Sequence, residues 1–404
     1  MEAKKSQDET ILVPLQGLGV IVIADDITGA AEIAGVCLRY GLKVSFGIDS
    51  VPNENTDVRI IATDSRSMSE LEAYQIHQKI AVELYKDSNP FVFKKCDSVL
   101  RGYVLTELSA IMDVSKTKTV LLQPANPVVG RYIKNGIYYI GDKKIQDTGF
   151  SVDPDFPATE SMVQEILFQR STTHNSIDEV HLEGVTNING FGAFIPDCSS
   201  IEELASCCEL AYDNTLLCGG AAFFEQILIK KGLKMVEKNK VQSTLPDEFL
   251  LVSGSTHTES RLFVEKMREY NFPVVAFPET LLQEKVENDL IIQWANKLAA
   301  DWQEKRMLIL TVSETNITFT NSSTVLKQRL EVIVRKILEQ CNVTELLIEG
   351  GATTYSLLKA LGWKTLTPVE ELVSGVVRMK VQDYPANLTL KPGSYNWPSA
   401  YLNH

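Results

Sequence analysis

The stretch "IVIADDITGA", residues 21–30, ends an apolar run with two adjacent carboxylates and a Thr-Gly-Ala turn. The run reads as a buried strand. The residues after it place Ala30, Ile33, Ala34, Cys37 and Leu38 at helical spacing, with Gly41 as the stop. Two like charges at the end of a buried strand are costly unless one meets solvent, a cation or a reacting group. In open α/β folds the carboxyl ends of strands are where ligand-binding groups gather, so Asp25 and Asp26 enter as candidate catalytic residues.

The same alternation recurs along the chain and predicts an α/β fold with mostly parallel sheets flanked by helices. "KVSFGID" (43–49), "VRIIATD" (58–64), "PFVFKK" (90–95) and "KTVLLQPA" (118–125) read as strands, with helices near 69–86 and 103–113. "GRYIKNGIYYIGDKKI" (130–145) carries an Asn-Gly turn between β-rich flanks and reads as a hairpin. Residues 147–158 read as an ordered loop. "TLLCGG" (215–220) is a strand ending on glycines, and a helix follows to about Lys231. The polar, aperiodic stretch 234–248 is the best linker. A second series begins at "FLLVSGS" (249–255) and continues through "FPVVAF" (272–277), "RMLILTVS" (306–313) and "ELLIEGG" (345–351), each leading into a helix. The expectation is two α/β domains, 11–235 and 248–404, with a cleft between them.

The totals set bounds. A chain of 404 residues exceeds one ordinary core. A net charge of -13 and pI near 5.0 argue against a nonspecific nucleic-acid or anionic-membrane partner. Seven cysteines without a CxxC pair read as reduced thiols in a cytoplasm. The five histidines form neither HxH nor HExxH, which argues against a zinc site, and no other metal-ligand set is legible. "MEAKKSQDET" at the start is polar and unlike a signal peptide, and no run approaches ~18 apolar residues.

Polar clusters mark further strand ends: Asp64, Ser65 and Arg66 after "IIAT", and Lys94, Lys95, Asp97, Ser98 and Arg101 within "KKCDSVLRG" (94–102). Singly, each reads equally well as a helix cap or a solvated side chain. Together they suit a polyhydroxylated acid, with cations for its carboxylate and Asp or Ser for its hydroxyls. The second series instead sets Gly beside Ser or Thr in "VSGST" (252–256), "IEGGATT" (348–354) and "LKPGSYN" (390–396). Glycines there let backbone amides approach an anion at a helix start, which is phosphate-cradle chemistry. No GxxxxGK[ST] occurs. On these grounds alone, an unrelated α/β enzyme that uses the paired carboxylates for metal or hydrolytic chemistry stays open.

The ordered set "ADDITGA" (24–30), "TDSRS" (63–67), "KKCDSVLRG" (94–102), "GRYIKNG" (130–136), "SGST" (253–256), "EGGATT" (349–354) and "KPGSYN" (391–396) resembles the four-carbon acid sugar kinase family, and it spans nearly the whole chain. The resemblance implies an N-terminal sugar-acid-binding domain and a C-terminal nucleotide-binding domain that close over their ligands. ATP and Mg²⁺ are then expected, with phosphorylation of a threonate- or erythronate-like acid. It implies Asp25 and Asp26 as catalytic groups. Lys95 and Arg101 would pair with the substrate carboxylate, and Asp64, Ser65, Arg66, Asp97 and Ser98 would complete the pocket. Ser253, Gly254, Ser255, Gly350, Gly351, Ala352, Thr353, Lys391 and Gly393 would surround the nucleotide. The chain departs from the family pattern at Val99, Tyr103, Asn396 and above all Ala352, where the family carries an acid that Glu349 could replace. A family member that binds sugar acid or nucleotide without turnover is the alternative expectation. Large α/β kinases often form homodimers, but no interface is legible in the sequence.

Overall fold

Strands leading into helices recur in a computed structural model of the chain. It describes residues 19–172, 176–182, 184–188, 190–211, 214–236, 244–255, 257–312 and 322–402, without the side chains of Glu279 and Ser322. The polar start, Thr256, Ser313 and residues 237–243 of the expected linker lie outside the described residues.

Val20–Ala24 (β1) is buried throughout, and Asp26 caps Ile27–Arg39 (α1) by accepting a hydrogen bond from the Gly29 amide at 2.9 Å. Val44–Ile48 (β2) and Val58–Ala62 (β3) pair in parallel. A capping box of Ser69 and Glu72 starts Glu70–Tyr85 (α2), which leads to Val92–Lys95 (β4), Val104–Ser115 (α3) and Thr119–Gln123 (β5). Asn135 and Gly136 take φ of 51° and 69° and join Arg131–Lys134 (β6) to Ile137–Ile140 (β7) as the expected hairpin, which Lys143–Lys144 (β8) extends. Next come Val163–Arg170 (α4), Val180–His181 (β9), Gly192–Phe194 (β10), Ile201–Cys207 (α5), Thr215–Gly219 (β11) and Ala221–Lys230 (α6).

The C-terminal series runs Phe249–Ser253 (β12), Thr258–Glu269 (α7), Val274–Ala276 (β13), Asn288–Lys305 (α8) and Met307–Thr311 (β14). Ser322–Gln340 (α9), Glu345–Glu349 (β15) and Gly351–Leu361 (α10) follow it. Three strands absent from the sequence reading as a set close the chain: Thr365–Val373 (β16), Val376–Val381 (β17) and Asn387–Lys391 (β18).

The described residues form two compact units. One holds those up to Asp25 together with those from Ser65 to Lys234; the other holds Asp26–Asp64 together with those from Met235 onward. In the first unit the strands run β1-β4-β11-β5-β10-β9, all parallel, and Phe93 of β4 packs 5.0 Å from the Phe224 ring of α6. In the second unit the order is β13-β14-β12-β15-β18-β17-β16-β2-β3. It is parallel through β18, antiparallel from β18 to β2 and parallel again to β3. Phe249, Leu251, Phe263, Met267, Ile309, Leu347 and Trp397 form a core there.

Segment 26–64, read from sequence as part of the N-terminal domain, packs with the C-terminal residues for identifiable reasons. β2 pairs antiparallel with β16, and Arg39 of α1 forms a bidentate pair with Glu371 of β16, Nη1 lying 2.8 Å from each oxygen. No described helix is long and apolar enough to cross a membrane.

Candidate functional site

In the first unit, β1 and β4 are parallel neighbours, so their carboxyl ends bring Asp25 beside the loop 96–102. Asp25 is only 1 % exposed. Arg66, in the turn Ser65–Ser67, donates to Asp25 Oδ2 from Nε at 3.0 Å and Nη2 at 2.7 Å, and its Nη2 also lies 3.7 Å from Asp97 Oδ1. Arg101 grips Asp97 with Nε on Oδ2 and Nη2 on Oδ1, both at 3.0 Å, and reaches Asp153 at 3.3 Å. Asp97 also accepts the Val99 and Arg101 amides at 3.2 Å, which folds the loop into a tight cap. Burial alone would raise the Asp97 pKa, but Arg101 and Arg66 hold it well below the usual carboxylate range. Leu100 adopts φ 61° in this loop, and its carbonyl accepts from Arg170 of α4. At Gly102 φ is 88°, a conformation that favours glycine, and the backbone runs beside Asp25, whose Oδ2 would lie 3.6 Å from a Cβ there.

Beneath this cluster lies a charged pair, of which the sequence reading named Lys94 and missed Glu107. Lys94 of β4, fully buried, sits 2.7 Å from Glu107 of α3, which is 1 % exposed. Glu107 accepts the Ser65 hydroxyl at 2.5 Å, and His77 stands 3.9 Å from its other oxygen. Burial would neutralise both partners, but their mutual attraction raises the Lys94 pKa and lowers that of Glu107. Burial pushes His77 down to about 4, so it is neutral at pH 7. The signal for Glu107 was available: it is an acid in the first turn of a helix, among the apolar Val104, Leu105, Leu108 and Ile111.

The expected substrate residues thus divide. Asp25, Arg66, Asp97 and Arg101 are interlocked. Ser65 is turned onto Glu107. Lys95, buried, donates to the Cys96 carbonyl at 2.8 Å. The Ser98 hydroxyl accepts from Arg131, and its carbonyl accepts from Tyr138 of the hairpin. Asp64, with φ 48°, and Asp26 belong to the second unit.

In the second unit, parallel pairing of β12, β15 and β18 places the three glycine turns side by side. A Cβ at Gly254 would lie 2.1 Å from Thr353 Oγ1, and one at Gly393 would lie 2.6 Å from Ser255 Oγ. Gly350, at φ 102°, sits 3.7 Å from the Gly254 backbone on the same measure. Under the turns, the buried Glu349 accepts from Ser253 at 2.6 Å and Ser260 at 2.8 Å, and pairs with Lys391 at 2.5 Å. The Lys391 ammonium also donates to the carbonyls of Pro392, Gly393 and Tyr395, shaping the last turn. Burial lowers the Lys391 pKa, and Glu349 opposes that fall.

Ala352 is exposed in the first turn of α10, whereas Glu349 is enclosed by Ser253, Ser260 and Lys391. Asp26 lies beside the residue preceding Ala352: a Cβ on Gly351 would approach Thr28 Cγ2 to 2.8 Å and Asp26 Oδ2 to 3.8 Å. Asp26 Oδ2 also accepts the Thr28 hydroxyl.

One unit with a carboxylate–guanidinium cluster at its strand ends, and another with converging glycine turns, define a two-part α/β protein. Residues 20–227 match the sugar-binding N-terminal domain family, and residues 250–395 match the nucleotide-binding C-terminal domain family. The chain belongs to the four-carbon acid sugar kinase family, a group of sugar-acid kinases. A D-threonate kinase of Salmonella typhimurium is 25% identical over 375 residues, covering 85% of this chain and 86% of the relative. A 3-oxo-tetronate kinase of Haemophilus influenzae is 24% identical over 409 residues, covering 93% and 96%. A D-erythronate kinase of Heliobacterium modesticaldum is 30% identical over 158 residues, covering 38% and 36%. Crystal structures of a Salmonella typhimurium LT2 protein and a Haemophilus influenzae protein share the fold. Their TM-scores are 0.74 and 0.70 at 18% and 19% identity, over 95% and 94% of this chain and 97% and 98% of theirs.

Proposed function

We propose that this chain transfers the terminal phosphoryl group of ATP to a hydroxyl of a four-carbon sugar acid related to threonate, erythronate or 3-oxo-tetronate. The observation that carries this reading is the convergence of the Gly254, Gly350 and Gly393 turns, whose close backbone approach suits a polyphosphate. The domains are then 11–235 for the acid and 248–404 for the nucleotide, in keeping with the ranges of the two family matches.

Phosphoryl transfer is catalysed mainly by positioning and electrostatics, so a carboxylate held in place matters more than a strongly basic one. Asp25, oriented by Arg66, is our candidate to accept the hydroxyl proton as the new O–P bond forms and the bond to the ADP oxygen breaks. Asp97, Arg101, Ser65, Lys95 and Ser98 shape the wall against which the acid lies, and Asp64 is a further candidate for its hydroxyls. Ser253, Ser255 and Thr353 line the glycine turns with Gly351 and Ala352, and Lys391 holds their backbone from below.

Mg²⁺ ordinarily takes one or two carboxylates and completes its shell with phosphate oxygens and water. Asp26, beside Gly351, fits that requirement, and among the described residues no cluster of three or more acidic, His or Cys groups offers a self-contained metal site. The ion would neutralise phosphate charge there. ADP and a phosphorylated acid, identified by mass spectrometry after incubation with Mg-ATP and each of the three acids, would support the reading; no product from any acid would refute it. Binding without turnover is a second reading, favoured by Ala352 and by the enclosure of Glu349. It predicts that the ligands bind and no product forms.

A further inference from the structure

Arg131, at the start of β6, differs from the other arginines of the strand-end cluster in the first unit. Arg66 is matched by Asp25 and Asp97, and Arg101 by Asp97 and Asp153. Arg170 directs its donors to the carbonyls of Leu100, Phe156 and Pro157. Arg131 donates from Nη1 to the Ser98 hydroxyl, and its guanidinium carbon lies 5.7 Å from the Phe150 ring centroid. Among the described residues no carboxylate pairs with it, and its side chain is half-buried. The same Phe150 ring stands 5.9 Å from the guanidinium carbon of Arg101, so one aromatic ring supports both arginines.

A half-buried guanidinium with no internal counter-charge, held by a hydroxyl and an aromatic ring, is a preorganised anion receptor. Its planar fork matches a carboxylate in two parallel hydrogen bonds. Arg101, which the sequence suggests for this task, already has its fork on Asp97. We propose that Arg131 binds the carboxylate of the sugar acid and so sets the preference for acids over uncharged polyols of the same length. This rests on the sugar-acid kinase reading above. Phe150 and Ser98 act through Arg131 as positioning residues.

The test uses the full chain, Mg-ATP and two substrates, D-threonate and the polyol threitol, with Arg131→Met and Arg131→Lys beside wild type. Losing a charge-assisted pair should raise the threonate KM of Arg131→Met by about ten- to a hundredfold. The KM for ATP should stay the same, and the acid-over-polyol ratio of kcat/KM should fall by a like factor. Arg131→Lys keeps the charge without the fork and should fall between the two; it decides the matter if Arg131→Met does not fold. An unchanged acid-over-polyol ratio in a folded variant, or a rise confined to the KM for ATP, would overturn the assignment while leaving the kinase reading intact. A wild type that neither binds nor phosphorylates D-threonate, D-erythronate or 3-oxo-tetronate would overturn both.

Discussion

Arg66 holds Asp25 through two donors, Nε at 3.0 Å and Nη2 at 2.7 Å, both on Oδ2. The carboxylate is 1 % exposed and the guanidinium side chain 16 %, so this is a buried ion pair and not a surface one. Removing one partner of such a pair takes away the bidentate compensation of a buried charge. Arg66→Met should therefore cost about 3–5 kcal/mol, and Arg66→Lys less, because lysine keeps the charge but not the fork. Urea unfolding checks this; a loss below about 1 kcal/mol in Arg66→Met would mean that Asp25 finds another partner.

The Lys94–Glu107–His77 group predicts the acid response. His77 is held from its ordinary 6.5 down to about 4 by burial, so its folded pKa is depressed. Above pH 6.5 neither state binds the proton; between 6.5 and about 4 the unfolded chain does and the folded chain does not. Stability should fall across that window by roughly 3 kcal/mol, and His77→Gln should lose that part of the slope. The lowered pKa values of Glu107 and Asp97 add a further loss as pH falls below the ordinary carboxylate range. Urea midpoints at pH 7, 5.5 and 4 measure it, and a flat profile would contradict the neutral, buried placement of His77.

At Gly254 a Cβ would collide with Thr353 Oγ1 at 2.1 Å, inside the cluster of glycine turns. Gly254→Ala should push two of those turns apart and weaken ATP binding at least about tenfold while leaving sugar-acid affinity unchanged. Isothermal titration with each ligand separately checks the division. Equal loss of both affinities would point to general misfolding.

Ala352 is exposed in the first turn of α10, where negative charge complements the helix dipole. Ala352→Asp should gain about 0.3–1 kcal/mol in thermal or urea unfolding at low salt, and the gain should shrink as salt is added. A salt-independent loss would show that position 352 is not open to solvent.

Much of this was legible in the sequence because strand and helix periods carry it. "LGVIVIA" ends at Ala24 as a strand, and the Asn-Gly pair makes its hairpin turn. What was hidden depends on contacts between distant segments. The antiparallel β16–β17 pair turns at Ser374-Gly375, a short turn the sequence reading passed over, and its match with β2 is what carries 26–64 to the C-terminal residues. Side-chain partners were hidden too. Arg101 and Lys95 are both cations in one motif, yet Arg101 closes on Asp97 and Lys95 on a backbone carbonyl, and no spacing rule separates those fates. Nothing about Glu349 in the string reveals that Ser253, Ser260 and Lys391 enclose it.

The most direct measurement is steady-state ADP release by wild type and by Asp25→Asn, with Mg-ATP and the preferred acid of the four-carbon panel. The account predicts acid-dependent release by wild type and at least a hundredfold loss in Asp25→Asn, with ATP affinity unchanged. Acid-dependent release that survives undiminished in a folded Asp25→Asn protein would contradict the role given to Asp25. No acid-dependent release by wild type would contradict the kinase reading itself.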